Sequence, residues 1–153
     1  MPVQILKEYL DNHHVKYVCM HPSRAFTAQE VAAAAHVSGK LLAKTIIVKM
    51  DEQFAMVVLL AHDYINFDAL KTVTGCSTID LASESEFKGK FPECDPGAMP
   101  PFGNLYNMPV YVSSRLSQHD QMMFSAGTHV ELLQMAYADF ERLVKPKVIA
   151  AAG

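Results

Sequence analysis

The stretch from Lys44 to Leu60 constrains the fold more than any other part of the chain. Lys44-Thr45-Ile46-Ile47-Val48-Lys49-Met50 is rich in β-branched residues, and Phe54 to Leu60 is an almost unbroken apolar run. Asp51-Glu52-Gln53 stands between them as a turn. Two such runs joined by a short polar segment predict a β-hairpin whose strands look buried. A fold containing it must place further structure around it.

The rest of the chain predicts a mixture of short helices and strands. Val3, Leu6 and Leu10 recur at helical spacing from Pro2 to about His13, and Pro2 suits a first helical position. Val15 to Met20 reads as a strand closed by His21-Pro22. Thr27-Ala28-Gln29-Glu30 is a capping box ahead of an alanine-rich helix that runs to about Ala35. Asn66 can cap a helix through Val73, with Gly75 just beyond its end. Ser83-Glu84-Ser85-Glu86 is a second capping box. Val110–Ser113, Met122–Ser125 and Thr128–Leu133 read as strands, and Gly127 marks a turn or a close backbone approach. A closing helix spans Ala136 to Val144 and stops at Pro146. The order is not a regular βαβ alternation. It predicts one α+β domain over residues 1–153, with a mixed, curved, partly barrel-like sheet and short flanking helices.

Composition narrows the function classes. The chain has 153 residues, half of them hydrophobic, enough for one core. Only 19% are charged, which argues against long disordered tails. The net charge of −3 and pI near 6.1 do not suit sequence-blind binding to long nucleic acid, and DNA is not an expected partner. A contact with the end of an RNA needs only a few local cations. Cys19, Cys76 and Cys94 form no CxxC pair, so neither a disulfide framework nor a structural zinc site is expected. Lys7, Glu8 and Asp11 interrupt the N-terminal apolar residues, and no run approaches the length of a membrane span. The expectation is a cytoplasmic protein with no membrane partner and no cofactor.

Three segments could carry chemistry. Lys44 shares a strand face with Ile46 and Val48. A lysine there either snorkels to water from a strand end or holds a cation ready for a phosphate or a developing oxyanion. The loop Gly97-Ala98-Met99-Pro100-Pro101-Phe102-Gly103 lies in the one long irregular stretch, Pro92 to Pro109. Its glycines permit close approach to a ligand, and the N–H groups of Ala98 and Met99 are candidate donors to a carbonyl. Taken alone it also fits an ordinary surface loop. In Ser125-Ala126-Gly127-Thr128-His129, the histidine fits a satisfied, partly buried imidazole or a polar group in a substrate pocket. His13, His14 and His21 lack a standard metal-ligand spacing, and no HExxH, GxSxG, P-loop or GxGxxG occurs.

Together these segments resemble the YbaK family, which is homologous to the editing domain inserted in bacterial prolyl-tRNA synthetases. The matching elements stand in family order over roughly residues 15 to 145. They are Thr27–Ala32, Lys44–Val48, Ala82-Ser83 with Glu86-Phe87, the GxxxP loop Gly97–Pro101, Pro109–Val112, and Ser125–His129. No single motif is specific; the order carries the likeness.

The resemblance implies hydrolysis, without a metal, of the ester of a mischarged aminoacyl-tRNA. A small amino acid on the tRNA for proline is the expected substrate, and a synthetase is a further expected partner. It makes Lys44 the catalytic lysine, with Lys40 a poor second choice. It places Gly97, Ala98, Met99, Pro101, Thr45, Gly127 and Thr128 at the substrate, with His129 selecting the amino acid. Tyr17, His21 and Phe26 are assigned to the terminal adenosine. An activated ester needs a placed water, a held carbonyl and a stabilised charge more than it needs a protein base. Two other readings stay open on the residues: a non-catalytic module that binds aminoacyl-adenosine or a synthetase, and a metal-dependent hydrolase using His13, His14 or His21.

Overall fold

A computed structural model describes residues 4–20, 42–61, 63–91, 94–95, 97–128 and 131–149. The elements, in chain order, begin with α1 (Gln4–Asn12), β1 (Tyr17–Met20), β2 (Ala43–Met50), β3 (Gln53–Leu60), α2 (Phe67–Thr74), β4 (Ile79–Leu81) and α3 (Glu84–Phe87). A 3-10 turn at Gly103–Leu105 precedes β5 (Val110–Ser113), α4 (Ser114–Ser117), β6 (Gln121–Ser125), β7 (Leu132–Ala136), α5 (Tyr137–Val144) and β8 (Lys147–Ile149). The alanine-rich helix expected after Thr27 lies outside the described residues.

The predicted hairpin forms the centre of a five-stranded sheet ordered β4-β2-β3-β5-β8. Ala43 pairs with Leu60 and Met50 with Gln53 across the antiparallel β2–β3 ladder. The two-residue turn has positive φ at both Asp51 and Glu52, the geometry that matches strand twist in tight hairpins. Asp51 is held there because its carboxylate accepts from the N–H groups of Ser77 and Thr78. Those hydrogen bonds draw the body of the carboxylate's charge toward fixed donors and lower its pKa. β3 pairs with β5, and β5 with β8, in parallel, so the sheet is mixed.

A second, three-stranded antiparallel sheet has the order β1-β7-β6. It adjoins the first through a single parallel bridge between Leu42 and Met123. The architecture is α+β, as expected; it consists of two adjoining sheets, and among the described residues they do not close into a barrel. The β7 strand starts at Leu132, later than the expected Thr128, because Thr128 belongs to a turn in which its carbonyl accepts from Glu131. β4, α4 and β8 were not expected at all. Each is only three or four residues long, too short to show a period.

The two predicted caps that fall on described residues both form. Asn66 Oδ1 accepts from the Ala69 N–H, and Gly75 ends α2 in the left-handed region at φ 72°. Ser83 and Glu86 exchange reciprocal bonds across α3, at 2.9 and 3.3 Å.

The hairpin is buried on both faces, which explains its nearly continuous apolar sequence. One face, with Ala43, Ile47, Met56 and Val58, joins the larger core. Leu6 and Leu10 of α1, Phe124 of β6 and Phe140 of α5 complete that core. The opposite face, with Val48, Val57 and Leu59, packs beneath Leu70 of α2 and Ile149 of β8.

Gly103 marks a close backbone approach. A Cβ there would lie 2.5 Å from both the Met108 carbonyl oxygen and Val110 Cγ2. Neither the carbonyl nor the strand can retreat freely, so Gly103→Ala is expected to destabilise the fold by about 1–3 kcal/mol, as overpacking does. Denaturant unfolding of the variant measures this, and a change below a few tenths of a kcal/mol would contradict the tight approach.

Candidate active site

Apart from Tyr17, the site residues named from the sequence fall into two described groups and one outside the description. His21, Phe26 and His129 lie outside the described residues, as does Lys40.

The first group is a junction between two loops. Asp95 N–H donates to Gly127 O at 2.7 Å, Gly127 N–H donates to Ala98 O at 2.9 Å, and Ala98 N–H donates to Asp95 O at 3.0 Å. The backbone around Gly97 and the turn after β6 are thereby tied together. Gly97 and Gly127 both adopt positive φ, 80° and 105°, where a side chain is strained. Gly97 is exposed, whereas Ala98, Met99 and Pro101 are buried. This corrects two expectations. The Ala98 N–H is engaged by Asp95 and is not a free donor for a carbonyl. The segment is also no ordinary surface loop, because Met99 and Phe102 belong to the larger core. Thr128 Oγ1, at the same junction, is buried without a hydrogen-bond partner among the described residues. A buried hydroxyl of this kind is a ready contact for a polar ligand atom.

The second group surrounds Lys44. By strand alternation Lys44 shares its face with Ile46 and Val48, whereas Thr45, only 8% exposed, faces the larger core with Ala43 and Ile47. From the Leu42–Met123 bridge, two residues on in each strand lead to Lys44 and Ser125. The bridge is isolated, so it brings the start of β2 close to β6 without pairing Lys44 to a β6 residue. Lys44 is half-buried. Its Nζ lies 5.1 Å from the centre of the Tyr64 ring. Burial lowers the Lys44 pKa from its ordinary value, and the negative charge of Asp63 works against that shift. Asp63 is itself buried and lies 3.0 Å from Arg115 Nε.

Sequence reading missed Asp63, Tyr64 and Arg115. Asp63 did carry a signal: it is the first acid after the apolar run of β3. Nothing local links Arg115 to it, since α4 reaches Asp63 only through the parallel β3–β5 pairing.

Tyr17 is not brought to either group. Its hydroxyl donates to Asp11 Oδ1 at 2.7 Å, and burial together with that carboxylate pushes its pKa up to about 12. In register it pairs with Met135, three residues from the Leu132–Ser125 pair that precedes the Gly127 turn, or roughly 10 Å along the strand. Tyr17 instead lines a separate groove of about 520 Å³ with His14, Lys16, Val18, Gln121 and Gln134. Among the described residues no group of three or more His, Cys, Asp or Glu side chains is placed to hold a metal ion, and His13 Nδ1 lies 2.8 Å from the Tyr9 carbonyl.

Residues 22–143 match the model of the aminoacyl-tRNA editing domain. The chain belongs to the aminoacyl-tRNA editing domain family. It is 21% identical to a proline–tRNA ligase of Macrococcus caseolyticus (strain JCSC5402) over 90% of its own length and 28% of the ligase. It is 31% identical over 49% of its length to the corresponding ligase of Bacillus cytotoxicus (strain DSM 22905 / CIP 110041 / 391-98 / NVH 391-98), covering 13% of that protein. The chain thus spans less than a third of these curated relatives. Its fold is shared with the hypothetical protein APE2540, at TM-score 0.86, 19% identity and coverage of 97% and 99% of the two chains. It is also shared with a proposed trans-editing enzyme for prolyl tRNA synthetase, at TM-score 0.83, 17% identity and coverage of 97% and 94%. No helix among the described residues of this editing domain is long and apolar enough to cross a membrane.

The junction of the editing domain gives a direct test. Gly127→Ala forces a side chain into a left-handed backbone region and is expected to lower the unfolding free energy by about 1–2 kcal/mol. Thermal unfolding reads the loss; an unchanged midpoint would mean that the turn relaxes to another conformation.

Proposed function

We propose that the protein is a trans-acting aminoacyl-tRNA deacylase that hydrolyses the ester of a mischarged tRNA without a metal. The observation that carries this reading is Lys44, a half-buried cation over the Tyr64 ring at the start of β2, close to the bridge that joins this sheet to β6. The substrate expected is a small amino acid on the tRNA for proline, a reading supported by the likeness to proline–tRNA ligases and to a proposed trans-editing enzyme.

The chemistry is modest. Attack of water on the aminoacyl carbonyl develops negative charge on its oxygen, and the ribose hydroxyl leaves as the ester bond breaks. Lys44 as a cation stabilises that charge or holds a terminal phosphate. The tied backbone around Gly97 and Gly127 limits the space beside the carbonyl, so that the amino acid is judged by size. A second hydrolytic sieve has a clear physical use. One methylene separates small apolar amino acids by only about 1–3 kcal/mol in a synthetase pocket.

Incubation with Ala-, Cys- and Ser-charged tRNAs, the tRNA for proline among them, is expected to show accelerated ester loss. Failure on the whole panel overturns the deacylase reading. Lys44→Ala is expected to lower kcat/KM on the best substrate about 100-fold, comparable to removing one oxyanion donor. Binding of aminoacyl-adenosine that depends on Lys44, with no hydrolysis by the unsubstituted protein, would make this a binding module instead. Rates should be unchanged in excess chelator; loss of activity there would place a metal in the reaction.

A further inference from the structure

Lys44 is not placed by its own strand alone. The turn after β3 supplies two of its neighbours, Asp63 and Tyr64. Asp63 N–H donates to Leu60 O at 2.9 Å, which fixes this turn to the end of β3. Leu60 pairs with Ala43, the residue before Lys44. The ladder therefore brings the turn that carries Asp63 and Tyr64 to the start of β2, where the Tyr64 ring lies 5.1 Å from the Lys44 amine.

Asp63 is 5% exposed, and a carboxylate so buried requires a compensating cation. Arg115 supplies one at 3.0 Å. The contact is an ion pair by distance, but its N–H is not aimed along the line to Oδ2, and among the described residues that buried oxygen has no hydrogen bond of good geometry. The Arg115 side chain is also 57% exposed, so water screens its charge. Part of the Asp63 field is thus left to act on Lys44. On the other side, an ammonium over an exposed ring gains only about 0.5–1 kcal/mol, so Tyr64 steers the amine more than it binds it.

We propose that Asp63 is a positioning residue for Lys44: its buried carboxylate, for which Arg115 competes, keeps the lysine amine charged and seated over the Tyr64 ring without itself touching the substrate. The inference rests on the deacylase reading for its purpose, but the seat can be measured without any substrate. Among the described residues, the Tyr64 ring lies against the amine, Asp63 one residue before it acts on the amine through its charge, and Arg115 of α4 pairs with Asp63. Burial favours the neutral amine, and Asp63 opposes this. Without the carboxylate, the amine should lose its proton at lower pH and swing toward water.

The test follows the Lys44 Nζ resonance by NMR across a pH titration of the full chain, assigned by its absence in Lys44→Met. In Asp63→Asn the midpoint is expected to fall by about one pH unit, the lower end of the effect of one close opposite charge. In Arg115→Gln, which removes the competing cation, it is expected to rise. Deacylation at saturating substrate should fall about tenfold in Asp63→Asn, and the pH at which activity is lost should move with the Lys44 midpoint. A folded Asp63→Asn whose Lys44 midpoint does not move overturns the proposal. Should that variant fail to fold, Arg115→Gln decides: a raised midpoint supports the seat and an unmoved one overturns it. If the unsubstituted protein hydrolyses no aminoacyl-tRNA while the midpoints shift as stated, the deacylase reading falls and the Asp63 seat stands.

Discussion

The burial of Phe102 ties the irregular part of this chain to the regular part. The residue comes from the loop that also carries Gly97, yet it is fully buried. Its ring centre lies 5.6 Å from that of Phe124 on β6, 5.5 Å from Phe140 on α5 and 6.2 Å from Tyr9 on α1. Tilted and edge-on contacts at these separations suit the quadrupoles of the rings. Removal of such a side chain would open a cavity where three elements meet. The backbone a few residues upstream inherits that fixity. It is why the hydrogen bonds from Asp95 and Gly127 can join two loops at defined positions, although neither loop belongs to a sheet there.

A second constraint is the two-sided burial of β2 and β3. A strand covered on both faces must satisfy every polar side chain it carries or push it to an end. Thr45 turns into the larger core, and Lys44 keeps its amine at the sheet margin. The polar groups Asp63, Tyr64 and Arg115 gather at that same margin because three strand ends meet there: the start of β2, the end of β3 and the end of β5. The site is thus a consequence of the ladder register. A slip of one residue in the β2–β3 pairing would send Lys44 into the core face and Thr45 outward.

The hairpin and the caps were legible in the sequence because each depends on residues close together in the chain. Lys44 to Leu60 shows its strands by composition, while Asn66 with Gly75 and Ser83 with Glu86 act over one helix turn or two. The buried character of the Gly97–Gly103 loop was not legible, since Met99 and Phe102 recur at no helical or strand period. Lys44 was singled out by a family likeness carried by ordered segments, and local alternation alone would have left it an ordinary strand-end lysine. Its neighbours are a different case. Asp63 and Arg115 are separated by two strands and two α-helices in the chain, and their meeting is set by the parallel β3–β5 pairing, which no short-range pattern announces. Tyr17, which the family likeness assigns to the terminal adenosine, stands three residues along the β1–β7 register from the pair that precedes the Gly127 turn, a spacing that no local pattern shows.

The acidic balance of the chain, −3 overall, bears on how such a site would engage an RNA. Affinity for a duplex comes mostly from many neutralised phosphates and is lost steeply with salt. A domain with few spare cations must instead recognise the end of its substrate, where one phosphate, one ribose and one amino acid lie within reach of a single pocket. Lys44 suits that demand because its charge is half-buried and therefore less screened than a surface lysine's. On the proposed reading, weak attraction to the body of the tRNA is then compatible with selectivity. A hold confined to the acceptor end releases correctly charged molecules quickly, and the discrimination falls on the space around the ester, which the Phe102-anchored backbone keeps rigid.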